Sequence, residues 1–277
     1  MSLNIENTRG VAYVTGGASG IGAEVCARLM ADGYAIAAAD ANEAGLGQLV
    51  ERLSASGRIT TQVLDVRDPQ AQRAFVERVE LDLGPVTAVV PCAGLTRSGP
   101  AETMALDDWE LVMDVNVTGT FVTCQAAAEK MLARGHGAIV CIGSIVAKGG
   151  QAGRSNYAAS KFAIAGLVKS LAIEWGGRGL RVNAVSPGVV ATPMVLNGVP
   201  EHFQDIMHDR IPMGRFATPA DIAAAIAMLL SSDAGYVTGA IVEVDGGVTA
   251  GFLTANRGED YATRHTVKRI EPDNLAR

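Results

Sequence analysis

Val11-Ala12-Tyr13-Val14-Thr15-Gly16-Gly17-Ala18-Ser19-Gly20-Ile21-Gly22 is the stretch whose reading decides the fold. An apolar strand, Val11–Thr15, runs straight into a glycine-rich turn, and a helix is expected to begin near Gly20. Glycines at such a turn let the backbone bend tightly and approach a pyrophosphate. The amide dipoles at the helix N-terminus then hold the anion. Gly16, Ser19, Gly20 and Ile21 are the residues expected against it. A plain tight turn could use the same residues, but this turn follows a strand directly and lies near the chain start.

The next strand, Ala35–Asp40, ends in a carboxylate about 20 residues beyond the glycines, where an acid accepts hydrogen bonds from the adenine-ribose hydroxyls. It would also repel a 2′-phosphate. No Lys or Arg lies between Thr15 and Gly22 or between Gly33 and Asn42 to offset that phosphate. The expected cofactor is therefore NAD, with NADP disfavoured. Asp65 and Val66, closing a third strand, are placed to meet the adenine edge, although Asp is common in turns.

The same alternation continues along the chain. Strands are expected at Thr60–Asp65, Val86–Val90, Ala138–Gly143, Arg181–Ser186 and Ile241–Val244, with helical stretches between; Asp107–Arg134 and Ser155–Gly176 are the longest. Strands alternating with helices read as βαβ units and a parallel sheet. Near-continuous apolar strands imply helices on both faces. The fold class is α/β: a single doubly wound (Rossmann) domain over residues 10–247, with a parallel seven-stranded sheet. Residues 1–9 form an N-terminal extension and 248–277 a polar C-terminal extension. The apolar, proline-containing insertion at 192–216 is expected to be a lid over the site.

Bulk composition excludes several classes. A net charge of −6 disfavours nucleic acid and anionic membrane surfaces as partners. No apolar run approaches the roughly 20 residues that span a bilayer. Cys26, Cys92, Cys124 and Cys141 are scattered with no CxxC pair, which argues against disulfides and a metal site and for a reducing cytoplasm. Hydrophobic residues at 48% supply one sizeable core.

Ser144 near the end of a strand, followed thirteen residues later by Tyr157-Ala158-Ala159-Ser160-Lys161, joins the glycine turn in a fixed order. With Asn116 in the preceding helix and the Pro187-Gly188 turn, the chain resembles the short-chain dehydrogenase/reductase family from about Val11 to Gly247. Tyr157 and Lys161 are i and i+4, so they share one helix face. A phenol needs help to lose its proton at neutral pH, and a neighbouring ammonium supplies it. The resemblance implies Tyr157 as general base for alcohol oxidation and general acid for ketone reduction. It implies Lys161 as its electrostatic partner and holder of the nicotinamide ribose, Ser144 as donor to the substrate oxygen, and Asn116 as holder of a relay water.

The same resemblance places Pro187, Gly188 and the Val190 amide beside the nicotinamide, with the Thr192 hydroxyl on its carboxamide. Cys92, Ala93 and Gly94 would lie along the cofactor. The family usually ends its fourth strand Asn-Asn-Ala-Gly, whereas this chain reads Pro91-Cys92-Ala93-Gly94. Pro91 removes a backbone donor, which puts the strand end in doubt more than the chemistry. Ser144, Ile145, Val146, Gln151, Leu95, Thr96 and Tyr157 are expected to wall the substrate pocket.

The implied function is an NAD(H)-dependent oxidoreductase that interconverts a secondary alcohol and a ketone. A sugar, polyol or other small alcohol is favoured over a 3-oxoacyl group on a carrier protein or coenzyme A. The rival from another class is an NAD-sensing binding protein that has lost catalysis; such proteins normally lack the Tyr or the Lys. The family usually assembles as a homotetramer through its two long helices and its last helix–strand pair, here Ile222–Leu230 and Ile241–Val244.

Overall fold

The computed structural model describes residues 9–192, 195–196 and 201–251. The N-terminal extension to residue 8, two pieces of the expected lid (193–194 and 197–200) and the tail beyond 251 lie outside the described residues. Seven strands form one parallel sheet: β1 (Val11–Thr15), β2 (Ala35–Asp40), β3 (Ile59–Val63), β4 (Val86–Pro91), β5 (Gly137–Ile142), β6 (Leu180–Pro187) and β7 (Ile241–Val244). Their spatial order is β3-β2-β1-β4-β5-β6-β7. The chain reverses its direction of travel between β1 and β4. Crevices at such switch points, outside the carboxyl ends of the strands, are where doubly wound sheets bind ligands.

The strands alternate sides, and each side buries its own core. Val11 and Tyr13 of β1 pack with Phe75, Val79, Met131, Ile164 and Trp175. Those residues come from α3 (Pro69–Asp82), α5 (Gly119–Arg134) and α7 (Ser155–Gly176). Ala12 and Val14 pack on the other side with Val25, Leu29, Leu46, Leu49, Ile222 and Ile226. These belong to α1 (Gly20–Ala31), α2 (Glu43–Leu53) and α9 (Pro219–Leu230). None of the described helices is long and apolar enough to cross a membrane.

Three departures from the expected elements have physical causes. β3 stops at Val63 rather than Asp65, because the Asp65 carboxylate accepts the Arg67 backbone N–H at 2.9 Å and turns the chain. The stretch Asp107–Arg134 is not one helix. α4 (Leu106–Met113) passes into α5 through a wider π turn over Asp114–Thr118, and Asn116 sits in that turn. Such widenings occur frequently at functional sites. Third, Pro91 does not fray β4: it pairs in register with Thr15, and Cys92 N–H donates to the Thr15 carbonyl at 3.1 Å. The next residue thus supplies the donor that proline lacks.

All four cysteines are free thiols. Burial pushes the Cys26 thiol up to about 12 and raises Cys92 as well. Thiols held protonated are poor nucleophiles, so Cys92 fits an inert role beside the groove.

The insertion expected to cap the site returns to where it left. Ala217 N–H donates to Val189 O at 3.0 Å, and Ala191 N–H to Ala217 O at 2.8 Å. Between them lies α8 (Glu201–Asp209), after the short α6 (Val146–Gly149) has opened the crossover to α7. Ile211 is buried at the base of the excursion.

Candidate active site

At the first βα turn the backbone closes tightly on itself. Gly16 adopts φ +69°, and a Cβ there would stand 2.6 Å from Ala93 N and 2.8 Å from the Cys92 carbonyl carbon. The turn after β1 therefore lies directly against the turn after β4, and together they floor one groove. A Cβ at Gly22 would stand 2.0 Å from Gly16 O, so the first helical turn packs onto the glycine turn itself. Ser19, at the N-cap of α1, makes no side-chain cap hydrogen bond. α2 is capped by Asn42, α3 by Asp68 and α9 by Thr218 with a reciprocal Asp221, whereas α4 and α7, like α1, have no side-chain cap. The N–H groups at the start of α1 are thus left without a side-chain acceptor, as an incoming pyrophosphate requires.

Asp40 is tied into this turn. Its Oδ2 accepts the Ala18 N–H at 3.0 Å and its Oδ1 the Asn42 N–H at 2.9 Å. The carboxylate therefore braces the glycine turn while keeping lone pairs for ribose hydroxyls. Asp65 commits both carboxylate oxygens to Arg67, and that hydrogen-bonded guanidinium holds its carboxyl below the usual range. Val66 is buried against Gly119. At the far end, the Thr192 methyl lies 3.6 Å from a Cβ built on Gly20, so the segment after β6 faces the glycine turn. Gly188 packs against the Asp245 backbone, and Val190 forms a bridge with Ala217. The cradle would be filled by side chains at Gly16 or Gly22 and carries an uncapped helix start and an acid at the ribose position. These residues fit a nicotinamide dinucleotide.

The groove leads to the residues expected to transfer the proton. Lys161 is only 7% exposed; its Nζ donates to Ile142 O at 2.9 Å and lies 5.5 Å from the centre of the Tyr157 ring. Two of its three N–H bonds remain for a ribose hydroxyl or a water. A Cβ at Gly94 would stand 4.0 Å from Lys161 Nζ and 3.2 Å from Asn116 Oδ1, so the post-β4 turn touches both. Ser144 is buried two residues past β5, and its Oγ accepts the Val146 N–H at 3.2 Å, which leaves the hydroxyl proton free to point elsewhere. Tyr157 is half-buried one helical turn above Lys161. Gln151 is exposed at the rim.

Asn116 has a structural commitment that the sequence did not disclose. Its Oδ1 accepts Leu95 N–H at 2.9 Å, and its Nδ2 donates to Leu95 O and to Ser160 Oγ, each at 3.0 Å. Both amide N–H bonds are spent, so a relay water held by this side chain would use the second lone pair of Oδ1. Ser160 in turn donates to Tyr157 O at 2.7 Å. Asn116 and Ser160 clasp the post-β4 turn to the helix that carries Tyr157 and Lys161. Ser160 lies inside the quoted Tyr-x-x-Ser-Lys run but has no spacing signal of its own. The Ile142 carbonyl, a backbone group, has none either. The Thr96 hydroxyl is buried without a partner among the described residues.

Residues 16–249 match the family model described as enoyl-(acyl carrier protein) reductase. A (3R)-3-hydroxyacyl-CoA dehydrogenase of Canis lupus familiaris is 42% identical over 248 residues, covering 86% of this chain and 95% of that protein. A D-threitol dehydrogenase of Mycolicibacterium smegmatis is 40% identical over 240 residues, covering 86% and 92%. The solved structure titled "Crystal structure of gox2181" superposes with a TM-score of 0.85 at 34% identity, covering 89% of this chain and 98% of that one.

Proposed function

The chain belongs to the short-chain dehydrogenase/reductase family, as an oxidoreductase of CH–OH groups using a nicotinamide cofactor, and we propose that it oxidises a small secondary alcohol with NAD or reduces the corresponding ketone with NADH. The observation that carries this reading is the arrangement of Lys161 beneath the Tyr157 ring, clasped through Ser160 and Asn116 to the turn lining the groove.

When bound, the nicotinamide exchanges a hydride with the carbinol carbon. The chain's own residues handle the proton and the charge. Tyr157 takes the alcohol proton during oxidation and returns it to the ketone oxygen during reduction. Lys161 places a positive charge beside the phenol and stabilises the oxyanion that forms. Ser144 donates its hydroxyl proton to the substrate oxygen. Asn116 and Ser160 keep the post-β4 turn seated, which fixes where the nicotinamide can lie. The described part of the excursion after β6, pinned at its base by the Ala217 pairing, is proposed to exclude water as a lid.

We assign NAD preference to Asp40. Asp40→Ala is expected to raise KM for NAD about tenfold, near 1.4 kcal/mol, and to narrow discrimination against NADP. Part of the rise would come from releasing the Ala18 N–H and loosening the glycine turn. Steady-state kinetics with both cofactors checks this. An unchanged NAD:NADP ratio would move the assignment to another residue.

A second substrate reading, a 3-hydroxyacyl thioester, is favoured by the dehydrogenase relative named for that substrate. A screen of secondary alcohols and 3-hydroxyacyl thioesters for NADH formation ranks the two. Binding of NAD without turnover on any of them would favour the sensing role instead.

The free thiols fit a reducing cytoplasm. Homotetramer assembly is proposed from exposed apolar side chains on the long helices, Phe121, Phe162 and Ile173, and from Met228 on α9 beside the edge strand β7. Multi-angle light scattering is expected to give four chains; a stable monomer would sink it.

A further inference from the structure

Beside Tyr157 lies a cation that this reading does not use. Arg154 directly precedes α7, one turn ahead of Tyr157 on the same flank that Lys161 occupies one turn behind. Its guanidinium carbon lies 6.0 Å from the centre of the Tyr157 ring. A buried ammonium and a guanidinium therefore both lie within 6.0 Å of the centre of the reacting ring.

The other basic side chains of the segments that follow β4 and β5 are paired. Lys148 Nζ pairs with Glu243 at 2.6 Å, and Arg97 Nε with Asp108 at 3.5 Å. Among the described residues Arg154 has no carboxylate partner; the one hydrogen bond of its guanidinium is a long one, 3.4 Å from Nη1 to Gln151 Oε1. Its platform is also fixed. The Gly99 N–H donates to Gly153 O at 2.9 Å, which holds the turn bearing Arg154 against the loop that follows β4. A guanidinium presents a planar fork of donors that matches a carboxylate in bidentate fashion.

We propose that Arg154 is the substrate-anchoring residue and that the alcohol carries a carboxylate a few bonds from its carbinol carbon. This rests on the dehydrogenase reading above and narrows it from a neutral small alcohol to a hydroxy acid. Distance decides between anion sources. A carboxylate on the substrate's own skeleton reaches a guanidinium beside the phenol, whereas the phosphates of a coenzyme A thioester lie many bonds from the reacting carbonyl. The guanidinium also orients the substrate, because it fixes one end of the molecule while Ser144 and Tyr157 fix the oxygen.

The test compares acetoacetate with pentane-2,4-dione, which keeps the reacting ketone and replaces the carboxylate by a neutral acetyl group. Wild-type enzyme with NADH is expected to favour the acid by at least tenfold in kcat/KM. Arg154→Met is expected to abolish that preference, mostly through a higher KM for the acid, and Arg154→Lys to retain part of it. Loss of both activities in equal proportion would overturn the assignment, since it would place Arg154's effect on Tyr157 instead. So would faster turnover of the neutral N-acetylcysteamine thioester of acetoacetate. Calorimetric titration of acetoacetate into the enzyme–NAD complex needs no turnover, so a failed dehydrogenase reading and a failed anion site separate. Equal affinity in wild type and Arg154→Met there overturns the proposal even for an inactive protein.

Discussion

Tyr157→Phe, which removes a single oxygen atom, is expected to lower kcat about 10³-fold, within the 10²- to 10⁴-fold range that one positioned acid–base group contributes. That corresponds to about 4 kcal/mol of barrier. The ring remains, so its neighbours Lys161 and Arg154 keep their positions. Lys161 also keeps its bond to Ile142 O. NAD binding, followed by fluorescence titration, should therefore change by no more than a few-fold, and thermal stability should barely move because the residue is only half-buried. The combination is diagnostic: lost turnover with intact cofactor binding and fold. Turnover undiminished in this variant would remove the phenol from the chemistry, and the enzymatic mechanism would have to be rebuilt.

Gly22→Ala is the second large effect, and it acts through the backbone. The new Cβ would stand 2.0 Å from Gly16 O and 2.7 Å from the Gly16 carbonyl carbon. Both are main-chain atoms with no rotamer to escape into, so the glycine turn must open. We expect NAD affinity to fall at least about 100-fold, near 2.7 kcal/mol. A destabilisation of about 1–3 kcal/mol is expected from overpacking alone. Gly47→Ala is the control. Gly47 lies on the exposed face of α2 with nothing within 4 Å of its added Cβ. There, alanine should stabilise the helix by about 1 kcal/mol and leave NAD binding alone. Differential scanning fluorimetry with and without NAD reads both variants. Wild-type NAD affinity in Gly22→Ala would mean that the turn is not where the pyrophosphate sits.

Much of this was legible in the residues. The strand–glycine–helix entry, Asp40 at the second strand end, and Tyr157 and Lys161 one turn apart are local patterns, and a helix or strand period fixes which side chains share a face. Val11–Thr15, Ala35–Asp40, Ile241–Val244 and Ser155–Gly176 fall where periodicity places them. Pro91 looked like damage to a strand because sequence shows the missing donor but not the Cys92 N–H that replaces it.

What the amino-acid sequence determined by itself was the fold class, and it also supplied the candidate for the proton-transfer group, since both rest on neighbours close along the chain. Tertiary structure alone decided that Asn116 spends its amide on Leu95 and Ser160, that Lys161 hangs from the Ile142 carbonyl, and that Arg97 and Lys148 are neutralised while Arg154 meets no described acid. These pairings join residues on separate loops and strands. Which loops meet depends on how the strands stack across the sheet, an outcome of packing the whole core that no local window of sequence contains.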